Sequence, residues 1–229
     1  MGSPADGPVW AVVLAAGAGR RFGGRPKQYE VLDGERVLDR SLATARAAAD
    51  HVVVVLAPGD RAEGEALVDS GAADVAVDGG AERADSVRAA LAVIDADAAV
   101  IVVHDAARPL ASAELHQAVV AAVHAGADAV IPGLPVSDTI KRVVRDGHGD
   151  AVVAETLDRS HLVAVQTPQA FRADVLRAAH AEGADATDDA ALVEAAGATV
   201  VVVPGEATNM KITGPDDLAV ATALLRTLG

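Results

Sequence analysis

The 229-residue chain is 51% hydrophobic and carries a formal net charge of −14, which supplies one globular core and opposes general binding to nucleic acid or an anionic membrane surface. Cysteine is absent, which excludes disulfides, thiolate zinc sites and cysteine nucleophiles and fits a reducing cytoplasm. Two Phe, one Tyr and one Trp leave no aromatic platform for stacking single-stranded nucleic acid. The opening "MGSPADGPVW" lacks the basic start and the run of roughly 7 to 15 apolar residues of a signal peptide. No stretch approaches the roughly 20 apolar residues of a membrane span, so a soluble cytoplasmic protein is expected.

Valine-rich runs alternate with amphipathic stretches, the pattern of βα units that cover both faces of a largely parallel sheet. The first predicted strand is 9–14. A helix follows with Leu38, Leu42, Ala45 and Ala49 on one face, then strands at 51–57 and 74–77. Val87, Leu91 and Ile94 mark a second helix before a strand at 99–104. Leu115, Val119, Val120 and Val123 mark a third before a strand at 129–132. Residues 136–160 break the alternation. Two β-like runs there flank "RDGHGD", which reads as a hairpin, and a lone hairpin is marginally stable in water. An arm contacting a second subunit is therefore expected. A strand at 198–203 precedes a last helix starting near Pro215, with acids at its positive end. One domain over 1–229 is expected, with 136–160 as its arm and nothing appended.

Positive charge is sparse and uneven. Sixteen arginines stand against three lysines (Lys27, Lys141, Lys211), and four of these nineteen cations fall in "LAAGAGRRFGGRPKQ", residues 14–28. Glycine after a strand lets backbone N–H groups approach a phosphate, and the cations suit the same ligand. A solvent loop with solubilising arginines is the plainer alternative. Lys27 is followed by Gln28, which excludes a Walker loop, and Phe22 stands where the dinucleotide fingerprint needs its third glycine.

This loop resembles the signature of nucleotidyltransferases. "DGGAERADSVRAAL", "VHDAARP", "DTIKR", "QTPQAF", "TDDAALVEAAG" and "TNMKITGPDDL" follow in the order of the 2-C-methyl-D-erythritol 4-phosphate cytidylyltransferase family. The resemblance implies an α/β fold: a Rossmann-like, glycosyltransferase-A type three-layer sandwich with a projecting β-arm. It also implies a homodimer that takes CTP, with Mg²⁺, and methylerythritol phosphate, releasing pyrophosphate in non-mevalonate isoprenoid biosynthesis. A cytidylyltransferase for ribitol or ribulose phosphate is the neighbouring alternative; a non-catalytic nucleotide-sensing module is the alternative from another class.

Joining two anions requires positioning and charge neutralisation more than acid–base chemistry. The resemblance implies that Arg21 and Lys27 stabilise the transition state and that Arg159 and Lys211 orient the acceptor phosphate. It places CTP against Ala15, Ala16, Gly17, Ala18, Gly19, Gly80, Ser86, Asp105 and Ala106. The acceptor is assigned to Asp105, Arg108, Thr139, Arg159, Thr167, Thr187 and Lys211. Arg20 and Arg25 are the plainer surface cations, and Ala81 stands where some relatives carry an acid. Several positions have simpler readings: Asp85 or Ser86 as a helix cap, Thr187 as the N-cap before Asp188, Thr139 as a strand residue, and His104 as a packed strand end. No metal cage is expected from the residue pattern, and Asp105 is the one candidate for contact with Mg²⁺ through water.

Overall fold

The computed structural model describes residues 7–17, 22, 26–181 and 188–228. In chain order the first half holds β1 (Val9–Leu14), a 3-10 turn (Lys27–Tyr29), β2 (Val31–Leu32), β3 (Glu35–Arg36), α1 (Val37–Arg46), β4 (His51–Leu56), α2 (Arg61–Asp69), β5 (Val75–Asp78), α3 (Arg83–Leu91) and β6 (Val100–Asp105). The second half holds α4 (Ala113–His124), β7 (Ala129–Pro135), β8 (Lys141–Arg145), β9 (Ala151–Thr156), a 3-10 turn (Arg159–His161), β10 (Val163–Val165), β11 (Gln169–Arg172), α5 (Ala173–Ala181), α6 (Asp189–Ala195), β12 (Val200–Pro204) and α7 (Pro215–Leu228).

Alternation along the central strands builds three layers. Val52 and Val54 of β4 pack with Leu38 and Leu42 of α1, Leu67 of α2 and Val119 of α4 on one face of the sheet. Val53 and Val55 pack with Val87 of α3, Leu176 of α5 and Val193 of α6 on the other. Strands buried on both faces read as continuous valine runs, which made them visible in the sequence. A smaller cluster, including Phe22, Leu32, Leu110 and Ile212, seats α7 beside β2 and β3.

Among the described residues eight strands form one sheet. β6, β1, β4 and β5 are parallel neighbours, and β12 runs parallel to β7. β10 and β11 are antiparallel to β7, and β11 is also antiparallel to β6, so the sheet is less uniformly parallel than the alternation suggests. The predicted strands appear with ends shifted by at most a few residues, whereas α2, α5, β10 and β11 had no counterpart among the predicted elements, and α6 was foreshadowed only by a cap read at Thr187. The "RDGHGD" hairpin is present: β8 pairs with β9 as a separate two-stranded ribbon. Its turn is tied by the Asp146 carboxylate, which accepts the N–H groups of His148 at 2.8 Å and Asp150 at 3.0 Å. Thr139 lies just before β8 rather than within a strand. No helix among the described residues is long and apolar enough to cross a membrane.

Candidate active site

The carboxyl ends of two neighbouring parallel strands set the position of the site, as expected in open α/β sheets. Leu14, the last residue of β1, lies in register with Asp105, the last of β6. The Ala15 N–H bonds the Val55 carbonyl at 2.7 Å and the Ala106 N–H bonds that of Leu14 at 3.0 Å, so both strand exits are fixed to the sheet. A cleft of about 560 Å³ opens above them. It is lined by Leu14–Gly17 and Asp105–Ala107 at the strand ends, by Gly80–Arg83 with Ser86 from the start of α3, and by Lys27, Gln28, Lys211 and Thr213.

Close packing explains the glycine pair before α3. A Cβ on Gly79 would fall 2.4 Å from that of Ala16, and one on Gly80 would fall 2.1 Å from that of Asp85, so neither position accepts a side chain without a backbone shift. The Ser86 hydroxyl accepts the Gly80 N–H at 3.1 Å and donates to the Glu82 carbonyl at 3.3 Å. Asp85 accepts the Glu82 N–H at 3.1 Å at the start of α3. Glu82 is thus the N-cap of α3 and Asp85 its capping-box partner, while Ser86 holds the turn and lines the cleft.

Charge concentrates around Lys27, Lys211, Arg83 and Asp105. Lys27 donates from Nζ to the Ile212 carbonyl at 2.7 Å, joining the turn after the glycine loop to the loop that carries Lys211. Tyr29 anchors the same turn by donating to Asp60 at 2.7 Å. Lys211 Nζ meets Asp105 Oδ2 at 2.6 Å, and Arg83 Nε lies 3.5 Å from Asp105 Oδ1. Burial alone would raise the Asp105 pKa. The nearby charges of Arg83 and Lys211 outweigh it and hold the carboxyl at about 2, so Asp105 is ionised at neutral pH. Among the described residues no group of three His, Cys, Asp or Glu is placed to hold a metal ion.

Behind Asp105 a hydrogen-bonded chain fixes the strand end. The Asp105 N–H donates to Thr167 Oγ1 at 3.0 Å, Thr167 Oγ1 lies 3.2 Å from His104 Nδ1, and His104 Nε2 lies 3.2 Å from the Arg108 carbonyl. A neutral imidazole with its proton on Nε2 satisfies every member of this chain. Burial, reinforced by neighbouring His116, pushes the His104 pKa well below the usual histidine value, in agreement with that tautomer. Arg108 donates to the Asn209 carbonyl at 2.8 Å, which ties the same corner to the Lys211 loop.

The predicted residues Ala15, Ala16, Gly17, Lys27, Gly80, Ser86, Asp105, Ala106 and Lys211 all line one cleft. Thr167 and Arg108 lie behind its floor. Thr139 and Arg159 are exposed in the arm segment and are not among the residues lining the cleft; Arg159 donates to the Ser137 carbonyl. Ala18, Gly19, Arg20, Arg21, Arg25 and Thr187 lie outside the described residues. The N-cap of α6 is Asp188, whose carboxylate accepts the Ala191 N–H, so the cap falls one residue later than the sequence reading placed it. Sequence reasoning missed Arg83, Gln28 and Thr213. Arg83 carries a usable signal: a cation at the first position of a helix opposes the helix dipole, which implies an anionic partner from elsewhere.

A family model for 2-C-methyl-D-erythritol 4-phosphate cytidylyltransferase (IspD) matches residues 9–227. The chain belongs to this family. It is 48% identical over 220 residues to the 2-C-methyl-D-erythritol 4-phosphate cytidylyltransferase of Frankia casuarinae, an alignment covering 95% of this chain and 81% of that one. It is 50% identical over 220 residues to the bifunctional enzyme IspD/IspF of Anaeromyxobacter dehalogenans, where 93% of this chain spans only 56% of the longer protein. Among solved structures, the 2-C-methyl-D-erythritol 4-phosphate cytidylyltransferase of Thermus thermophilus superposes with a TM-score of 0.76 at 36% identity, covering 94% of this chain and 98% of that one. The 4-diphosphocytidyl-2C-methyl-D-erythritol synthase of Anaerococcus prevotii gives 0.84 at 28% identity, covering 99% and 100%. The fold is therefore the family's nucleotidyltransferase fold.

Proposed function

We infer that the protein joins CTP to 2-C-methyl-D-erythritol 4-phosphate, giving 4-diphosphocytidyl-2-C-methyl-D-erythritol and pyrophosphate. The observation that carries this reading is the cleft that brings the Gly80–Arg83 wall and Ser86 together with Lys27, Asp105 and Lys211 at the ends of β1 and β6. The wall offers backbone groups and the Ser86 hydroxyl to the base; Lys27 and Lys211 offer positive charge to phosphates. An acceptor phosphate oxygen attacks the α-phosphorus of CTP, a P–O bond forms, and the bond to the departing pyrophosphate breaks. Lys27 and Arg21 neutralise charge on the transferring phosphoryl group. Lys211, released from Asp105, and Arg159 hold the acceptor phosphate for attack.

Magnesium enters this reading with the triphosphate, whose charge it neutralises. Asp105 is the carboxylate of the cleft floor that could meet it through water. Thr139 and Arg159 complete a site of the partner in a homodimer built through the arm. Exposed valines of β8, β9, β10 and β12 support such a contact. Charged substrates that do not cross membranes agree with a cytoplasmic setting.

Pyrophosphate release with CTP and a panel of polyol phosphates tests the assignment. Turnover confined to methylerythritol phosphate supports it. Faster turnover of ribitol or ribulose 5-phosphate replaces it with the neighbouring activity, and CTP binding without release replaces it with a sensor.

A further inference from the structure

Arg83 is the first residue of α3, where the helix dipole disfavours a cation, yet two carboxylates from distant elements hold it there. Its Nη1 donates to Asp189 Oδ2 at 2.6 Å and its Nε lies 3.5 Å from Asp105 Oδ1. Asp189 is only 1% exposed, is the first residue of α6, and accepts from His180 Nε2 at 3.0 Å through its other oxygen. A carboxylate so buried requires a permanent partner, and Arg83 supplies it.

The second oxygen of Asp105 is the one bound by Lys211. Under the cytidylyltransferase reading, on which this inference rests, Lys211 turns to the acceptor phosphate during the reaction. Asp105 would then face two anionic substrates with one counter-charge removed, and repulsion would swing its side chain away from the cleft unless another cation kept it. Arg83 is the cation already in place. Its planar fork can serve two carboxylates at once, which a lysine ammonium in the same position cannot do with the same geometry.

We propose that Arg83 is a positioning residue: a single guanidinium that keeps Asp105 in place when Lys211 engages the acceptor, and in doing so locks the base-binding wall on α3 to α6, which follows the segment carrying Thr187. Its effect reaches the reaction through Asp105 and falls more on acceptor use than on nucleotide binding, for which Ala15–Gly17, Gly80 and Ser86 remain in place.

Three variants separate this role from a purely structural one. Arg83→Lys keeps a charge beside Asp189 but loses the reach to Asp105; the acceptor KM should rise by about tenfold while the KM for CTP stays within about twofold. Arg83→Gln leaves the buried Asp189 carboxylate without its arginine, held by His180 alone, and should lower the Tm. The double variant Arg83→Gln with Asp189→Asn removes both charges and should recover the Tm while retaining the raised acceptor KM. Recovery of Tm and acceptor KM together would overturn the proposal, because Arg83 would then serve only to neutralise Asp189. Wild-type protein that fails to turn over methylerythritol phosphate would instead overturn the functional reading. The crystal structure of the double variant then decides the clamp by itself: Asp105 displaced from its wild-type rotamer is the expected result, and Asp105 unmoved overturns it.

Discussion

Two sets of four valines serve opposite ends in this molecule. Val52, Val53, Val54 and Val55 of β4 are fully buried between two helical layers, whereas Val143, Val144, Val152 and Val153 of the β8–β9 arm are 44–55% exposed. Both sets have the same β propensity, so what separates them is the availability of a covering layer. The body supplies its own cover; the arm has none among the described residues. β10 and β12 also carry exposed valines, and there Val163 and Val202 close over Gly133, whose missing side chain leaves the space they fill. These exposed valines support the homodimer proposed above, in which a second copy of the chain would cover them.

Placing a charge in each region separates them most sharply. Val54→Asp buries an unpaired carboxylate and should cost more than about 4 kcal/mol, abolishing the folded far-UV signal. In the homodimer proposed through the arm, Val144→Asp with Val153→Asp should leave that signal intact and give a monomer in sedimentation, with loss of activity because Thr139 and Arg159 would no longer reach a partner's site. A monomer with full activity would refute the shared site.

Within the body, Lys27→Ala or Arg21→Ala should lower kcat by about 10² to 10³ without unfolding, the scale of one lost transition-state donor. Near-normal turnover in both variants would remove them from the mechanism. A smaller effect is expected at Thr167→Val, which deprives the Asp105 N–H and His104 Nδ1 of their shared partner. Chemical denaturation should show a loss of about 1 to 3 kcal/mol, with kcat reduced as Asp105 loosens.

The mildest test is the acid side of the stability profile. Burial lowers the His116 pKa, and Nδ1 faces the Ser112 carbonyl at 2.9 Å while Nε2 is buried with no hydrogen-bond partner among the described residues. The unfolded chain therefore takes up this proton first, near pH 6.5, and stability is lost as the pH falls from there toward the lower folded value. The slope attributable to His116 is at most about 1.4 kcal/mol per pH unit, and His116→Leu should flatten the profile by that share. An unchanged profile would show that His116 does not contribute.

The sequence made the sheet body legible because strands covered on both faces are written as unbroken valine runs. It concealed α2, where Gly64 and Leu67 are the buried residues, and the short β11, whose "QAFR" has no alternation to detect. The cleft was legible at Lys27, Gly80, Ser86, Asp105 and Lys211 because those residues sit in compact motifs. Arg83 escaped because its partner Asp189 is 106 residues away, and the only local trace of that pairing is a cation at the start of a helix. The arm was legible as a hairpin, but a single chain does not say which site its residues complete.

Mixing two inactive variants addresses that division of labour directly. Lys27→Ala protein, with an intact arm, is combined with Arg159→Ala protein, with an intact glycine loop, under conditions that exchange subunits. A site built from the body of one chain and the arm of the other predicts recovery of about a quarter of wild-type pyrophosphate release with CTP and methylerythritol phosphate, because half the dimers are mixed and each has one complete site. Activity that stays at the level of the separate variants would contradict the account.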